Sequence, residues 1–213
     1  MKQYEGVNIF ETLPEIVNPQ HTCLVVWDVQ LGLVGRVFDK DTYVARLAAF
    51  VERLRGRLQI AYTLITPLPL KLQSGWNLFG MMRRFGVDDP SKLRNFMAKG
   101  SPEREIPGEL SPHEGDIVVE KSTQNLFVGT NVELILRNRG IQTLVFTGIA
   151  TEIGVETSAR DAGARGFYPV IVSDAVSSMD REAHERSLKS FERIGVVATM
   201  NEILSATGAS LIP

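Results

Sequence analysis

Short runs of Val, Ile and Leu alternate along the chain with longer stretches in which apolar residues recur at helical spacing. A strand buried on both faces reads as a near-continuous apolar run, so this rhythm predicts a parallel sheet covered by helices on both sides. Six strands are predicted: Leu24–Val29, Gln59–Leu64, Asp116–Glu120, Thr143–Ile149, Tyr168–Val172 and Val196–Thr199. Between the first two, Val44, Leu47, Ala48, Val51 and Leu54 share one helical face, and Gly56 follows as a stop. Thr130 with Glu133 predicts a capping box, and Gly140 a C-terminal cap. Further helices are predicted over Thr151–Arg165 and Asp180–Ile194, ending at Gly166 and Gly195. The strand–helix–strand units should cross over right-handed.

The stretch Thr66–Pro112 breaks the rhythm, mixing Pro67, Pro69, Pro90, Pro102, Pro107 and Pro112 with one apolar segment, Trp76–Phe85. It reads as a long loop with short helices, which makes it a lid, a partner surface, or an insertion packed on its own domain. Leu68, Leu70, Leu72, Trp76 and Phe79 give it apolar surface for association or for packing under the loop.

At 213 residues the chain, 1–213, fits a single domain. Its 44% hydrophobic and 23% charged residues are ordinary globular values, and a net charge of -2 leaves no basic footprint for nucleic acid. A small-molecule substrate is the expected partner. No apolar stretch approaches the roughly 20 residues a membrane span requires, and Met1–Gln20, carrying Glu5, Glu11 and Glu15, does not read as a signal peptide. The lone Cys23 suits a reducing compartment, so a cytoplasmic location is expected. His21, His113 and His184 are too scattered for a zinc-type site, and neither metal nor cofactor is expected.

In an open parallel sheet, ligands bind beyond the carboxyl ends of the strands. Asp28 ends the run Leu24-Val-Val-Trp-Asp28, Lys121 follows Ile117-Val-Val-Glu, and Gly154 lies at the helix start after Leu144–Ile149. A carboxylate facing an ammonium in a half-buried crevice acts either as an acid/base pair or as a salt bridge joining two strand ends. A lysine at a solvent-reached rim contributes little to stability, so Lys121→Ala is expected to leave folding intact. Glycine inside a first helical turn costs about 1 kcal/mol against alanine. At Gly154 either close approach of a ligand to free N–H groups or tight helix-on-sheet packing would offset it.

Three segments carry a resemblance: Cys23-Leu-Val-Val-Trp-Asp-Val-Gln30; Val118-Val-Glu-Lys-Ser-Thr123 with Phe127-Val-Gly-Thr130; and Gly148-Ile-Ala-Thr-Glu-Ile-Gly-Val-Glu-Thr-Ser-Ala-Arg-Asp-Ala162. Together with Val172-Ser-Asp-Ala-Val-Ser-Ser178, they resemble the signature regions of the isochorismatase-like hydrolases. That resemblance implies an α/β/α sandwich, a three-layer fold around a six-stranded, mainly parallel, Rossmann-like sheet. It implies catalytic roles for Asp28 and Lys121, with Gly154 where cysteine-bearing members carry a nucleophile. Ala150, Thr151, Gln30 and Phe127 are implied as oxyanion or substrate-binding positions. A cis peptide between Ile149 and Ala150 and a homodimer or homotetramer are implied as well.

True isochorismatases, which cleave a vinyl ether without a covalent intermediate, resemble this chain in having glycine at that place. The segment Ile149-Ala-Thr-Glu152 departs from their Tyr-Ala-His pattern, and nicotinamidase metal ligands lack counterparts after Asp28, so neither substrate is implied. Relatives with an Ile-Gly-Val-Glu-Ser-Thr-Ala-Arg type motif are the most similar. Cys23 precedes Asp28 by five residues on one strand, about 16 Å at the usual rise, too far to supply a thiol. The hydroxyls of Ser122, Thr123 and Thr151 would each need an aligned base to act as nucleophile. The expected function is hydrolysis of a small anionic substrate by Asp28 and Lys121. The alternative is a catalytically silent binding or scaffold protein of the same fold.

Overall fold

The computed structural model describes residues 1–212. A hairpin of β1 (Lys2–Tyr4) and β2 (Val7–Ile9) leads into α1 (Leu13–Ile16) and β3 (Thr22–Trp27). After α2 (Leu31–Val34) and α3 (Lys40–Leu54) come β4 (Gln59–Ile65), α4 (Gly75–Phe85) and β5 (Ile117–Lys121). The second half runs α5 (Val132–Asn138), β6 (Thr143–Ile149), α6 (Glu156–Ala164), β7 (Tyr168–Ser177), α7 (Arg181–Phe191), β8 (Val196–Ala198) and α8 (Met200–Thr207). Six strands form one sheet in the order β5-β4-β3-β6-β7-β8, every neighbouring pair parallel. The chain builds outward from β3 to β5, then returns to place β6 on the other side of β3. The switch point therefore lies between β3 and β6, where the carboxyl ends diverge and leave a crevice.

The predicted sandwich is the observed one, and the two-residue period of β3 shows how it is filled. Leu24 and Val26 join the core under α1, α3 and α8, whereas Cys23, Val25 and Trp27 join the core under α5, α6 and α7. Helix α3 contributes Tyr43, Leu47, Phe50, Val51 and Leu54 to the first layer. Gly56 and Gly140, just past α3 and α5, take the left-handed conformation that ends a helix.

Several boundaries differ from the sequence expectation. Asp28 and Val29 leave β3, because Asp28 adopts φ +46° and turns the chain out of the ladder. Lys121 lies inside β5 rather than after it. Strand β7 continues to Ser177 through a bulge in which Val172–Ala175 stand opposite the single Thr147, and such bulges re-aim a strand next to a site. The capping box at Thr130 and Glu133 does not form: Asn131 is the N-cap, the Thr130 hydroxyl donates to Leu126 O at 2.6 Å, and Glu133 pairs with Arg165. A capping box forms instead at Thr199 and Glu202, ahead of α8. Helix α6 opens with a π-helical turn, Thr151–Val155.

The 66–112 stretch holds α4 and several 3-10 turns. Helix α4 buries no residue, and Trp76 and Phe79 stand 77% and 50% exposed. Beyond α4, Phe96 and Glu103 lie so close to Gly32 in α2 that a Cβ there would meet them at 2.9–3.1 Å. Among the described residues no helix is long and apolar enough to cross a membrane.

Candidate active site

Asp28 and Lys121 converge across β4. Lys121 Nζ donates to Asp28 Oδ2 at 2.6 Å and to the Thr123 carbonyl at 3.1 Å. Between them on β4, Thr63 donates its hydroxyl to Asp28 Oδ1 at 2.6 Å and accepts the Asp28 N–H at 3.0 Å. These contacts hold Asp28 in a left-handed conformation that costs a non-glycine residue of order 1 kcal/mol or more. An outlier held this firmly at the end of a central strand points to a functional position.

The pair is buried: the Lys121 side chain has 0% exposure and that of Asp28 8%. Burial is the dominant influence on both groups. It raises Asp28 above the usual carboxylate range, against the opposing pull of Lys121, and lowers Lys121 below the usual lysine range, against the opposing pull of Asp28. The two proton affinities are thereby drawn together, which favours proton transfer at this place. The expected crevice-rim lysine is thus corrected to a fully enclosed one, with consequences for its removal taken up below.

Gly154 lies against Trp27. A Cβ on Gly154 would stand 2.4 Å from the indole Nε1 and 2.7 Å from two ring carbons, so packing on the sheet is what requires glycine here. Of the two readings of Gly154, packing is the one these contacts match, and its N–H is not free. The N–H groups of Ile153, Gly154 and Val155 all turn to the Ala150 carbonyl, at 3.2–3.3 Å. The peptide joining Ile149 to Ala150 is cis.

The remaining expected site residues divide differently. Gln30 is wholly buried and its amide is occupied by backbone: Nε2 donates to the carbonyls of Ile65 and Arg104, and Oε1 accepts from Ile65 N–H. It clamps the end of β4 to the 104 segment and has no group left for a substrate. Phe127 stacks on Phe167, which lies just before β7 and so toward the amino-terminal edge of the sheet, and the Arg165 guanidinium lies over the Phe127 ring, 4.6 Å from its centroid. These are packing contacts. Thr151 is fully buried, its Oγ1 3.2 Å from the Ser177 carbonyl and 2.8 Å from His184 Nδ1. The carbonyl accepts from the hydroxyl, while Nδ1 accepts from it or donates to it according to the His184 tautomer. Ser122 and Thr123 spend their hydroxyls on carbonyls of Thr66, Asn125 and Val128.

Trp27 and Thr63 were not among the expected site residues. Thr63 carried a signal, being a polar residue in the apolar run Ile60-Ala-Tyr-Thr-Leu64 and pairing in register with Trp27. Among the described residues no group of three His, Cys, Asp or Glu side chains is placed to hold a metal ion. Cavities of about 380 and 230 Å³ lie elsewhere, one beside Phe10, His21 and Gln142, the other beside Arg104, Ser111 and Val118.

Cys23 is buried at the amino end of β3, and burial pushes its thiol up to about 12. A thiol whose folded pKa exceeds its unfolded value stabilises the fold fully below about pH 9, and that contribution is lost as pH rises toward 12. Iodoacetamide at pH 8 is therefore expected to leave Cys23 unlabelled in the native chain and to label it fully in denaturant. Rapid native labelling, followed by intact mass, would show the strand end to be open.

The isochorismatase domain family matches residues 22–202. The uncharacterized isochorismatase family protein YecD of Escherichia coli O157:H7 is 34% identical over 197 residues, covering 89% of this chain and 98% of that protein. The ureidoacrylate amidohydrolase RutB of Methylobacterium radiotolerans is 30% identical over 218 residues, covering 92% of this chain and 83% of the relative. The solved structure of an isochorismatase family protein from Burkholderia thailandensis superposes with a TM-score of 0.73 at 30% identity, over 90% of this chain and 97% of that one. With the family match spanning most of the chain and a relative 34% identical over nearly its whole length, the chain belongs to the isochorismatase family.

Proposed function

We propose that the chain is a hydrolase of a small substrate, in which Asp28 moves the proton, Lys121 orients it, and no side chain attacks. One observation carries this reading: a buried Asp–Lys pair, 2.6 Å apart, sits at the carboxyl end of the sheet with Asp28 as its more exposed member. Asp28 is then the group a substrate meets, and Lys121 stays behind it. Burial makes Asp28 a stronger base than a surface carboxylate. At a carbonyl carbon, its carboxylate takes a proton from water as the water oxygen bonds to that carbon. The same proton then passes to the departing oxygen or nitrogen as that bond breaks.

Gly154 stands where the cysteine-bearing members are read to carry their nucleophile, which favours direct addition of water over an acyl-enzyme. Negative charge developing on the substrate falls to the N–H groups that begin the helical turn, at Ala150, Thr151 and Glu152, since the first N–H groups of a helix lack intrahelical partners. An anionic substrate suits that cradle. The enclosure of Lys121 favours a second reading, a protein that binds small ligands without turning them over.

The experiment is a panel of enol ethers, ureido acids and simple amides incubated with the chain and followed by mass spectrometry. Turnover is expected to require Asp28 ionised and Lys121 protonated. The rate should rise through a pKa above the usual carboxylate range and fall through one below the usual lysine range, both belonging to the pair. Turnover that persists in Asp28→Asn would remove Asp28 from the chemistry, and ligands bound but never converted would establish the second reading.

A further inference from the structure

An ammonium has three N–H bonds, and the fold gives that of Lys121 three neighbours. Two are the Asp28 carboxylate and the Thr123 carbonyl. The third is the face of Trp27, whose ring centroid lies 4.0 Å from Nζ. A cation over an aromatic face is attracted by the ring quadrupole, indole most strongly, and the attraction grows as water is excluded. Trp27 is 1% exposed, so water is excluded here.

The same ring is fixed from behind. Its Nε1 edge lies where a Cβ of Gly154 would stand 2.4 Å away, and the backbone carbonyl oxygen of Trp27 lies where a Cβ of Gly148 would stand 2.1 Å away. Gly148, with φ +109°, and Gly154 thus let β6 and the following turn close on the backbone and the ring of one residue. The indole is wedged between the helix start and the ammonium.

We propose that Trp27 is the positioning residue of this site. Its face holds Lys121 as an ammonium against Asp28, and its edge occupies the volume that any side chain at position 154 would need. The consequence for catalysis rests on the Asp28–Lys121 reading above; the holding of charge does not. The substrate then meets Asp28 backed by a lysine already fixed in charge and place, beside a helix start that presents backbone and no side chain at position 154.

The test uses the full chain labelled with 13C at lysine Cε, the Lys121 resonance being assigned by its loss in Lys121→Arg. Titration of that resonance is compared in the parent, Trp27→Phe and Trp27→Leu. Leucine removes the quadrupole and keeps the site apolar, so the Lys121 pKa is expected to fall by about one unit, a tenfold change. Phenylalanine keeps a weaker ring face and should restore most of the difference; a purely structural role for the ring would not grade in this way. An unchanged or raised Lys121 pKa in folded Trp27→Leu would overturn the proposal. Should leucine fail to fold, a Lys121 pKa in Trp27→Phe equal to the parent's would overturn it, and a smaller downward shift would uphold it. A lowered pKa in a chain that converts nothing upholds the positioning and defeats only the catalytic reading. Turnover that needs Lys121 while its pKa ignores Trp27 does the reverse.

Discussion

Gly154→Cys is expected to destabilise the chain by about 3 kcal/mol in denaturant unfolding and to yield no thiol chemistry on its own. The new Cβ would overlap the Trp27 indole at 2.4 Å, and the atoms it meets belong to a rigid ring enclosed by the sheet and the helix start. Room for the side chain opens only when the ring is shortened. Trp27→Leu combined with Gly154→Cys should therefore cost less than the two single losses summed, by a coupling energy of order 1–3 kcal/mol between the two positions. In that double variant the thiol at 154 should alkylate far faster than Cys23. Losses that simply add would show that the ring is not what occupies the space.

The second large effect concerns the buried ion pair. Lys121→Met leaves Asp28 enclosed without its cation, and breaking a buried pair from one side costs roughly 3–5 kcal/mol. The expected result is a large drop in unfolding free energy together with loss of any turnover. Adding Asp28→Asn removes the uncompensated charge and should return a good part of the stability, with turnover still absent. A Lys121→Met chain as stable as the parent would mean that the pair is more hydrated than its 0% and 8% side-chain exposures indicate.

The layered fold was legible because six apolar runs and the spacing between them leave few arrangements for a buried parallel sheet. Asp28 was legible for the same reason, as the first charge after an uninterrupted apolar run. The depth of Lys121 was not taken from the sequence, although a signal existed. Along β5 it shares parity with the buried Val119, while Glu120 shares parity with the exposed Val118. Gly154 stood out as a glycine inside a helix, but the reason for it lies on another strand, where only the fold brings Trp27 against it. Gln30 and Phe127 show the converse. Their segments mark the family, yet a motif position does not say which way its side chain points, and these two point to backbone and to Phe167.

The strand order joins the site to the architecture in one further respect. β3 lies in the interior of the sheet and β5 at its margin, with β4 between them. An outer strand has a partner on one side only and is the place where a ladder begins to open. The bridge from Lys121 over Thr63 to Asp28 runs perpendicular to the ladder and fastens that margin to the middle, as a staple fastens a loose page to a binding. The buried pair is thus also a piece of masonry, and removing either partner loosens the margin it holds.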